Sequence, residues 1–366
     1  MSEPASRTIV FAGGGTAGHV EPALAVARAW KRKYPSDHCI FLGTPAGLEN
    51  TLVPAAGFEL RIINKVVMPR NLSFDIVRLP AQLFQAVKSA KKVIKGAEIL
   101  IGFGGYLSAS AYLAAWSARV PIVVHEANAK LGWANRLGAL LTKNLATARP
   151  LASGPFARAI VTGLPLRSDV KTAYLEATQD WQEARRRAKK VMGWKVDQPA
   201  LLVLGGSQGS SFINSQIAAA LPALREKNIQ ILHSVGTNKE LPQNFGEYKA
   251  VPYITDMAMA YLAADVVLAR SGAVTCAEVG ALGQMALFVP LPIGNGEQAR
   301  NADHLVSIGR AIVVSQDDFS SQWLVEQIDE VVEQSRQLPE PEMNPDLEAE
   351  ERIVLLMEDA LRRSSR

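Results

Sequence analysis

The chain has 366 residues, 48% of them apolar, which is enough for two cores and more than one typical domain holds. A formal net charge of +4, from 39 lysines and arginines against 35 aspartates and glutamates, is mildly basic and compatible with phosphate ligands, an anionic lipid surface or neither. The two cysteines, Cys39 and Cys276, lie far apart in apolar runs, which excludes a disulfide framework or a zinc spacing and fits a reducing compartment.

The segment Met1 to Thr8 lacks the basic and apolar regions of a signal peptide. No later run reaches the roughly 20 apolar residues that a spanning helix needs, so any membrane contact is expected to be peripheral. From Arg7 onward, short β-branched or apolar runs alternate with longer helical patterns. Strands are predicted over Thr8 to Ala12, Cys39 to Gly43, Leu60 to Asn64, Ile99 to Phe103 and Pro121 to His125, the rhythm of βαβ units on a parallel sheet. Between the third and fourth, the segment Leu72 to Lys95 repeats Leu72, Ile76, Leu79, Leu83, Val87, Ala90 and Ile94 every three or four positions. Arg70, Arg78, Lys88, Lys91, Lys92 and Lys95 crowd it against a single acid, Asp75. Such a stripe ordinarily packs on a core; flanked by cations, it also suits a helix lying on anionic phospholipid, with Trp116 and Arg119 as further anchors.

From about Pro165 to Gln198 the run Arg185, Arg186, Arg187, Lys189, Lys190 faces Glu176, Asp180 and Glu183. Without interleaved aromatics it reads as a solvated helix beside a linker and not as a nucleic-acid site. A second series of strands follows over Ala200 to Leu204, Ile229 to Leu232, Val251 to Ile254, Asp265 to Ala269 and near Leu287 to Val289. Leu338 to Pro345 is proline-rich and acidic. The last helical pattern, with Ile353, Leu356, Met357, Ala360 and Leu361 on one side, can return to the first domain. The expected architecture is α/β: two Rossmann-like doubly wound parallel-sheet domains facing across a cleft, 1–164 and 165–340, with a returning helix in 341–366.

Each domain opens with a strand running into glycines, Ile9-Val10-Phe11-Ala12-Gly13-Gly14-Gly15-Thr16-Ala17-Gly18 and Leu202-Val203-Leu204-Gly205-Gly206-Ser207-Gln208-Gly209, and Gly102-Phe103-Gly104-Gly105-Tyr106 is a third such loop. Glycine lets backbone approach an anion, and the following helix points unsatisfied amides at it, so a diphosphate is the expected guest; tight turns alone would explain any one loop. Gly13, Gly15 and Gly18 also satisfy the dinucleotide pattern G-x-G-x-x-G. The second strand, however, ends Phe41-Leu42-Gly43-Thr44 with no carboxylate for a ribose, which removes the best support for NAD. His19, at the start of the helix after the first loop, would stay neutral beside the helix dipole and could serve as general base, or simply bind phosphate or cap the turn. Glu278 follows Arg270-Ser271-Gly272-Ala273 by about a turn of helix. It could accept both hydroxyls of a ribose, or merely complement the dipole as a first-turn acid. Gln298 and Asn301 share a helix face whose amides suit sugar hydroxyls.

The ordered blocks Gly13-Gly14-Gly15-Thr16-Ala17-Gly18-His19, Gly104-Gly105-Tyr106, His125-Glu126-Ala127-Asn128, Thr162-Gly163-Leu164-Pro165-Leu166-Arg167, Gly205-Gly206-Ser207-Gln208-Gly209, Arg270-Ser271-Gly272-Ala273 and Glu278 closely resemble the MurG family of peptidoglycan N-acetylglucosaminyltransferases, from about residue 8 to about 315. The resemblance implies the two-domain GT-B fold and transfer of GlcNAc from UDP-GlcNAc to lipid I at the cytoplasmic face of a bacterial membrane. It further implies that Thr16, Ala17 and Gly18 line the donor cleft and that Asn128 approaches the sugar region. Arg167, Ser207, Gln208 and the backbone at Ile254 would hold the uridine diphosphate. Ala273, Val274, Thr275, Cys276, Ala277 and Glu278 would take phosphate, sugar and ribose, and Gln298 the GlcNAc hydroxyls. His19 is then the expected base, with no cofactor and no metal, since no Asp-x-Asp pair stands in these blocks. Ala17, Ala127, Leu164 and the loop Asn295-Gly296-Glu297 depart from the forms frequent in the family. Two rivals remain at this level: a UDP-GlcNAc epimerase, which needs further acid/base carboxylates, and a non-catalytic nucleotide-sugar binding protein.

Overall fold

The computed structural model describes residues 6–66, 75–206, 208–237, 239–293 and 295–364, with the backbone alone for 75–78. It divides into two compact units: one runs to Leu166 and resumes at Pro345, and the other spans Arg167–Asn344.

The first unit contains β1 (Thr8–Ala12), β2 (His38–Gly43), β3 (Glu59–Ile62), β4 (Ile99–Gly102), β5 (Ile122–Glu126), β6 (Leu145–Thr147) and β7 (Ile160–Val161). Among the described residues these form one parallel sheet in the order β3-β2-β1-β4-β5-β6-β7. The central strands are apolar throughout because both faces are covered. Alternation along each strand splits them between two cores. Ile9, Phe11, Phe41, Ile99, Ile101 and Val123 join the helix Ala17–Lys33 on one face. Val10, Leu42, Leu100, Ile122 and Val124 join residues from the helices Asp75–Ile94 and Gly105–Ala118 on the other.

The last helix, Ala349–Ser364, lays Ile353, Val354, Met357 and Ala360 on the first of these cores, beside Ala17–Lys33. Each large apolar side chain buried there contributes roughly 1.5–3 kcal/mol. The rim pair Arg32–Glu351 at 3.1 Å is exposed, and a surface pair of this kind adds about 0–1 kcal/mol, so packing holds the helix.

In the second unit, β8 (Ala200–Leu204), β9 (Gln230–Ser234), β10 (Tyr248–Val251), β11 (Val266–Ala269), β12 (Met285–Phe288) and β13 (Ala311–Val313) form a parallel sheet in the order β10-β9-β8-β11-β12-β13. Both orders start at an inner strand, wind to one edge, and return to continue toward the other. The direction reverses between β1 and β4 and again between β8 and β11. In doubly wound sheets, ligands bind at such switch points, outside the carboxyl ends of the strands.

Three expectations are corrected. The strand expected over Val251 to Ile254 lies at Tyr248–Val251, because Pro252 has no amide for the ladder, and edge position lets the exposed Lys249 alternate with buried Tyr248 and Ala250. The helix expected to be solvated beside a linker, in the stretch from about Pro165 to Gln198, is solvated on one side only. This helix, Trp181–Val191, packs on the helix Met257–Ala263 and buries Trp181, Ala184, Ala188 and Lys189. Lys189 Nζ and Arg185 Nη2 reach the Asp265 carboxylate at 2.8 and 3.1 Å, leaving Arg186 and Arg187 on the solvent side with Glu183 and Glu176. The amphipathic stripe, finally, is divided. Leu72 and Arg70 and the side chains of Ile76 and Arg78 lie outside the described residues, Leu79, Leu83 and Val87 are half-buried, and Ala90 and Ile94 are fully buried in the core. Phe84, Lys88, Lys91, Lys92 and Lys95 remain exposed on the same helix or its end.

Candidate active site

At the first switch point the chain leaves β1 through Gly13-Gly14-Gly15 and enters the helix Ala17–Lys33. Gly15 has φ +89°, and a Cβ on Gly13 would stand 2.6 Å from the His19 carbonyl oxygen, so the turn and the close approach of loop to helix both require glycine. Thr16 precedes the helix without capping it; its Oγ1 lies 3.1 Å from Nδ1 of His19. The loop after β4 closes over the same ring, with Gly104 and Gly105 at φ +95° and +81°; a Cβ on either would come within 3.5 Å of the imidazole. Burial lowers the His19 pKa, opposed by the nearby Glu126 carboxylate, a hydrogen bond to the Gly14 backbone, and Glu49. The ring is therefore neutral at pH 7 and able to accept a proton. Ala17 and Gly18 are half-buried in the first turn of the helix.

β5 ends in Glu126, a buried carboxylate with both oxygens engaged. Oε1 accepts from the backbone N and Nδ2 of Asn128 at 2.9 and 3.1 Å, and Oε2 from Gly132 N and Asn135 Nδ2, both at 3.0 Å. The Tyr112 hydroxyl donates in turn to Asn135 Oδ1 at 2.9 Å. Four donors on two oxygens suit a carboxylate that shapes the Asn128 loop more than one kept free to take up a substrate proton.

One expectation for the first loop changes. The Gly15 amide, which the glycine pattern offers to a diphosphate, donates instead to Glu49 Oε2 at 2.8 Å. Sequence reading passed over Glu49, Asn135 and Tyr112. Only the glycines at Gly43 and Gly47 beside Glu49 gave a signal, and such glycines are common in turns.

At the second switch point the glycines serve packing. A Cβ on Gly205 would lie 2.2 Å from Ser210 N, and one on Gly209, at φ +71°, would lie 1.9 Å from the Val235 carbonyl oxygen, so the loop is seated on the end of β9. Ser207 lies outside the described residues and Gln208 is exposed. Ser210 caps the helix Ser211–Glu226. Arg270, at the end of β11, donates to the carbonyls of Val289 and Pro290, to Ser210 Oγ and to Gln316 Oε1, and so ties the carboxyl ends of the strands together.

The helix Ala273–Ala281 begins after Gly272, with Ala273, Val274 and Thr275 half-buried in its first turn and Cys276 and Ala277 buried. Glu278 stands in its second turn and is buried, where an acid contributes little to the helix dipole. Its carboxylate lies 3.4 Å from Arg167 Nε and raises the pKa of the buried Tyr261 hydroxyl, an effect second to burial itself. Arg167 also meets Asp169 at 2.8 Å. Ile254 is buried just beyond β10. Gln298 Oε1 accepts from Leu291 N and Asn301 Nδ2 donates to the Ser271 carbonyl, both at 3.0 Å, so both amides anchor backbone near the ends of β12 and β11. Among the described residues no helix is long and apolar enough to cross a membrane.

Two parallel α/β units of Rossmann order, each with a switch point at the carboxyl ends of its strands, have the architecture of a nucleotide-binding α/β enzyme, and the family matches make it a glycosyltransferase. Residues 9–147 match the glycosyltransferase family 28 N-terminal domain and residues 200–356 the glycosyltransferase family 28 C-terminal domain. The UDP-N-acetylglucosamine--N-acetylmuramyl-(pentapeptide) pyrophosphoryl-undecaprenol N-acetylglucosamine transferase of Paenarthrobacter aurescens is 45% identical over 88% of this chain and 86% of its own length. The protein of the same name from Corynebacterium efficiens is 45% identical over 91% and 90%. The crystal structure of Acinetobacter baumannii MurG, 27% identical, superposes with a TM-score of 0.68 over 96% of this chain and 99% of that one. The chain belongs to this family of N-acetylglucosaminyltransferases, the MurG family. A putative UDP-N-acetylglucosamine 2-epimerase from Listeria monocytogenes reaches a TM-score of 0.65 at 11% identity, which speaks for the fold alone.

Proposed function

We propose that this chain moves GlcNAc from UDP-GlcNAc to the C4 hydroxyl of the MurNAc unit of undecaprenyl-diphospho-MurNAc-pentapeptide (lipid I), forming lipid II in peptidoglycan synthesis. The observation that carries the reading is 45% identity over about nine-tenths of the chain to relatives whose names state this transfer.

In the reaction, the C4 oxygen attacks the anomeric carbon of the donor as His19 takes its proton. The bond from that carbon to the diphosphate oxygen breaks, UDP departs, and the new link is β1,4 with inversion. The neutral imidazole beside Thr16 supports the role given to His19, with Ala17, Gly18 and Asn128 around the reacting sugars. The second unit takes the donor. Arg167, Gln208 and the backbone at Ile254 take the uridine diphosphate, and the family resemblance adds Ser207 to them. The amides opening the helix Ala273–Ala281 stabilise the departing phosphate, in place of a metal, along the stretch Ala273, Val274, Thr275, Cys276 and Ala277. Glu278, oriented by Arg167, accepts the ribose hydroxyls, and Gln298 offers its Nε2 to the GlcNAc hydroxyls.

The first unit is the acceptor and membrane side. Phe84 and Trp116 are exposed, and Lys88, Lys91, Lys92, Lys95 and Arg119 are exposed around them, a combination suited to peripheral binding on the anionic cytoplasmic leaflet.

Incubation with labelled UDP-GlcNAc, with and without a lipid I analogue, tests the reading. Label appearing in the lipid only when the analogue is present is the expected result. Acceptor-independent epimerisation or binding without turnover would replace it with one of its rivals.

A further inference from the structure

Glu49 opens the helix Glu49–Ala55 and its side chain is wholly buried at the first switch point. Three donors converge on its two oxygens: Gly15 N at 2.8 Å on Oε2, and Thr44 N at 2.9 Å and Thr44 Oγ1 at 3.1 Å on Oε1. That is the setting of an ionised carboxylate, which only accepts. Three glycines lie close around it, and at Gly47 its carboxylate leaves no room for a side chain. A Cβ on Gly47 would stand 2.0 Å from Oε2, one on Gly43 2.9 Å from Cγ, and one on Gly14 3.1 Å from Oε1. The chain thus commits a buried acid, and the glycine at Gly47 that makes room for it, to a contact with the loop that ends, one residue after Gly15, at Thr16 against the His19 ring.

We propose that Glu49 is a positioning residue for the transfer: by holding the Gly15 amide and the end of β2 together, its carboxylate fixes the loop that presents His19 and stations a negative charge behind that loop. This rests on His19 as the base. Two consequences follow. The loop has a committed amide and an anion at its back, so it orients the base and repels phosphate there. The charge also favours the imidazolium that forms when His19 takes the acceptor proton. Among the described residues, the charged groups acting on His19 are Glu126 from the end of β5 and Glu49 from the start of its helix, and both oppose the effect of burial on the ring.

Glu49→Gln tests this, because an amide cannot accept from all three donors and carries no charge. The purified, folded variant should lose kcat by roughly tenfold or more, as misplaced catalytic groups do, with the KM for UDP-GlcNAc near the parent's. The His19 ring, followed by NMR, should titrate at lower pH than in the parent, and the acid limb of the rate profile should move with it. Glu49→Asp keeps the charge but withdraws it by one methylene; kcat should fall while the ring titrates near its parental pH. Unchanged kcat and unchanged ring titration in folded Glu49→Gln would overturn the proposal. So would failure of both variants to fold, which would make the contact structural only. If His19→Ala keeps the parental kcat and acid limb, it is the base assignment that fails, whatever Glu49 does.

Discussion

Nε of Arg167 stands 3.4 Å from a carboxylate oxygen of Glu278, with both side chains largely buried. Arg167 precedes the helix Ser168–Ala177 and Glu278 lies in the helix Ala273–Ala281, so the fold sets side by side two opposite charges more than a hundred positions apart. The guanidinium, which also pairs with Asp169 at 2.8 Å, places a positive charge beside the buried carboxylate, and the two acids offset the cost of burying it.

If Glu278 holds the ribose, Glu278→Ala should weaken UDP-GlcNAc binding by about 1.5–3 kcal/mol, measured by calorimetry, and by less for a 2′-deoxyribose donor. Arg167→Ala should weaken it as well. The double variant should lose less than the sum, since each single change already breaks the pair. A Glu278→Ala that binds as the parent does would remove Glu278 from the ribose, and strictly additive losses would mean that the two side chains act independently.

The sequence made the sheets legible because strands buried on both faces are written as apolar runs ending in glycine. β1, β4 and β8 fall where those runs fall. It did not show β6, β7 or β13, which have three, two and three residues and too little length for a period to register. The apolar repeat of the helix Asp75–Ile94 was visible, but a period does not tell a core from an exposed surface, and the helix has both, with Ala90 and Ile94 buried and Phe84 exposed. Of the candidate site, loops and local neighbours such as Thr16 and His19 could be read directly. The carboxylate of Glu49 on Gly15, 34 residues away, could not, because only the folded sheet brings the two loops together.

That division makes the helix Asp75–Ile94 a test of the membrane reading. Phe84→Ser with Lys88→Ser should lower attachment to anionic vesicles, leave the melting temperature within a few degrees of the parent, and flatten the salt dependence of binding. Ile94→Ala, on the same helix, should instead cost about 2–5 kcal/mol of stability in the first unit. Vesicle binding that ignores both the Phe84 change and added salt would leave the exposed stripe without this role.

Acid should destabilise both units through buried histidines. Burial pushes His125, in the first unit, and His233, in the second, down to about 4 from the ordinary 6.5. The unfolded chain therefore takes up these protons first, so stability is full above pH 6.5 and is lost as pH falls toward 4. The loss is on the order of 3 kcal/mol per histidine. His233→Gln keeps a polar side chain between Tyr248 and Asn214, which the ring bridges at 3.0 Å on each side, and removes the titration. Its melting temperature should fall less steeply than the parent's across that window. Parallel curves would mean that His233 takes up its proton in the folded state as readily as in the unfolded one.

The last expectation concerns His19. As the general base it should, when replaced by alanine, lower kcat by roughly 10² to 10⁴-fold, with the dissociation constant for UDP-GlcNAc near the parent's. His19→Asn should not restore the rate, because an amide can occupy the hydrogen bond with Thr16 but cannot take a proton at neutral pH. A purely structural role, bracing the Thr16 turn and filling the space beneath Gly104 and Gly105, predicts the opposite pattern: asparagine recovers part of the rate, and ligand binding weakens along with turnover. The pH profile separates the two again. Burial lowers the His19 pKa, so the parental rate should hold through neutrality and fall on the acid side, below the ordinary histidine range, as the ring protonates. The residual rate of His19→Ala should lack that limb. A limb that persists would move the base elsewhere, and Glu126, with four donors already on its oxygens, would have to release the Asn128 loop to serve.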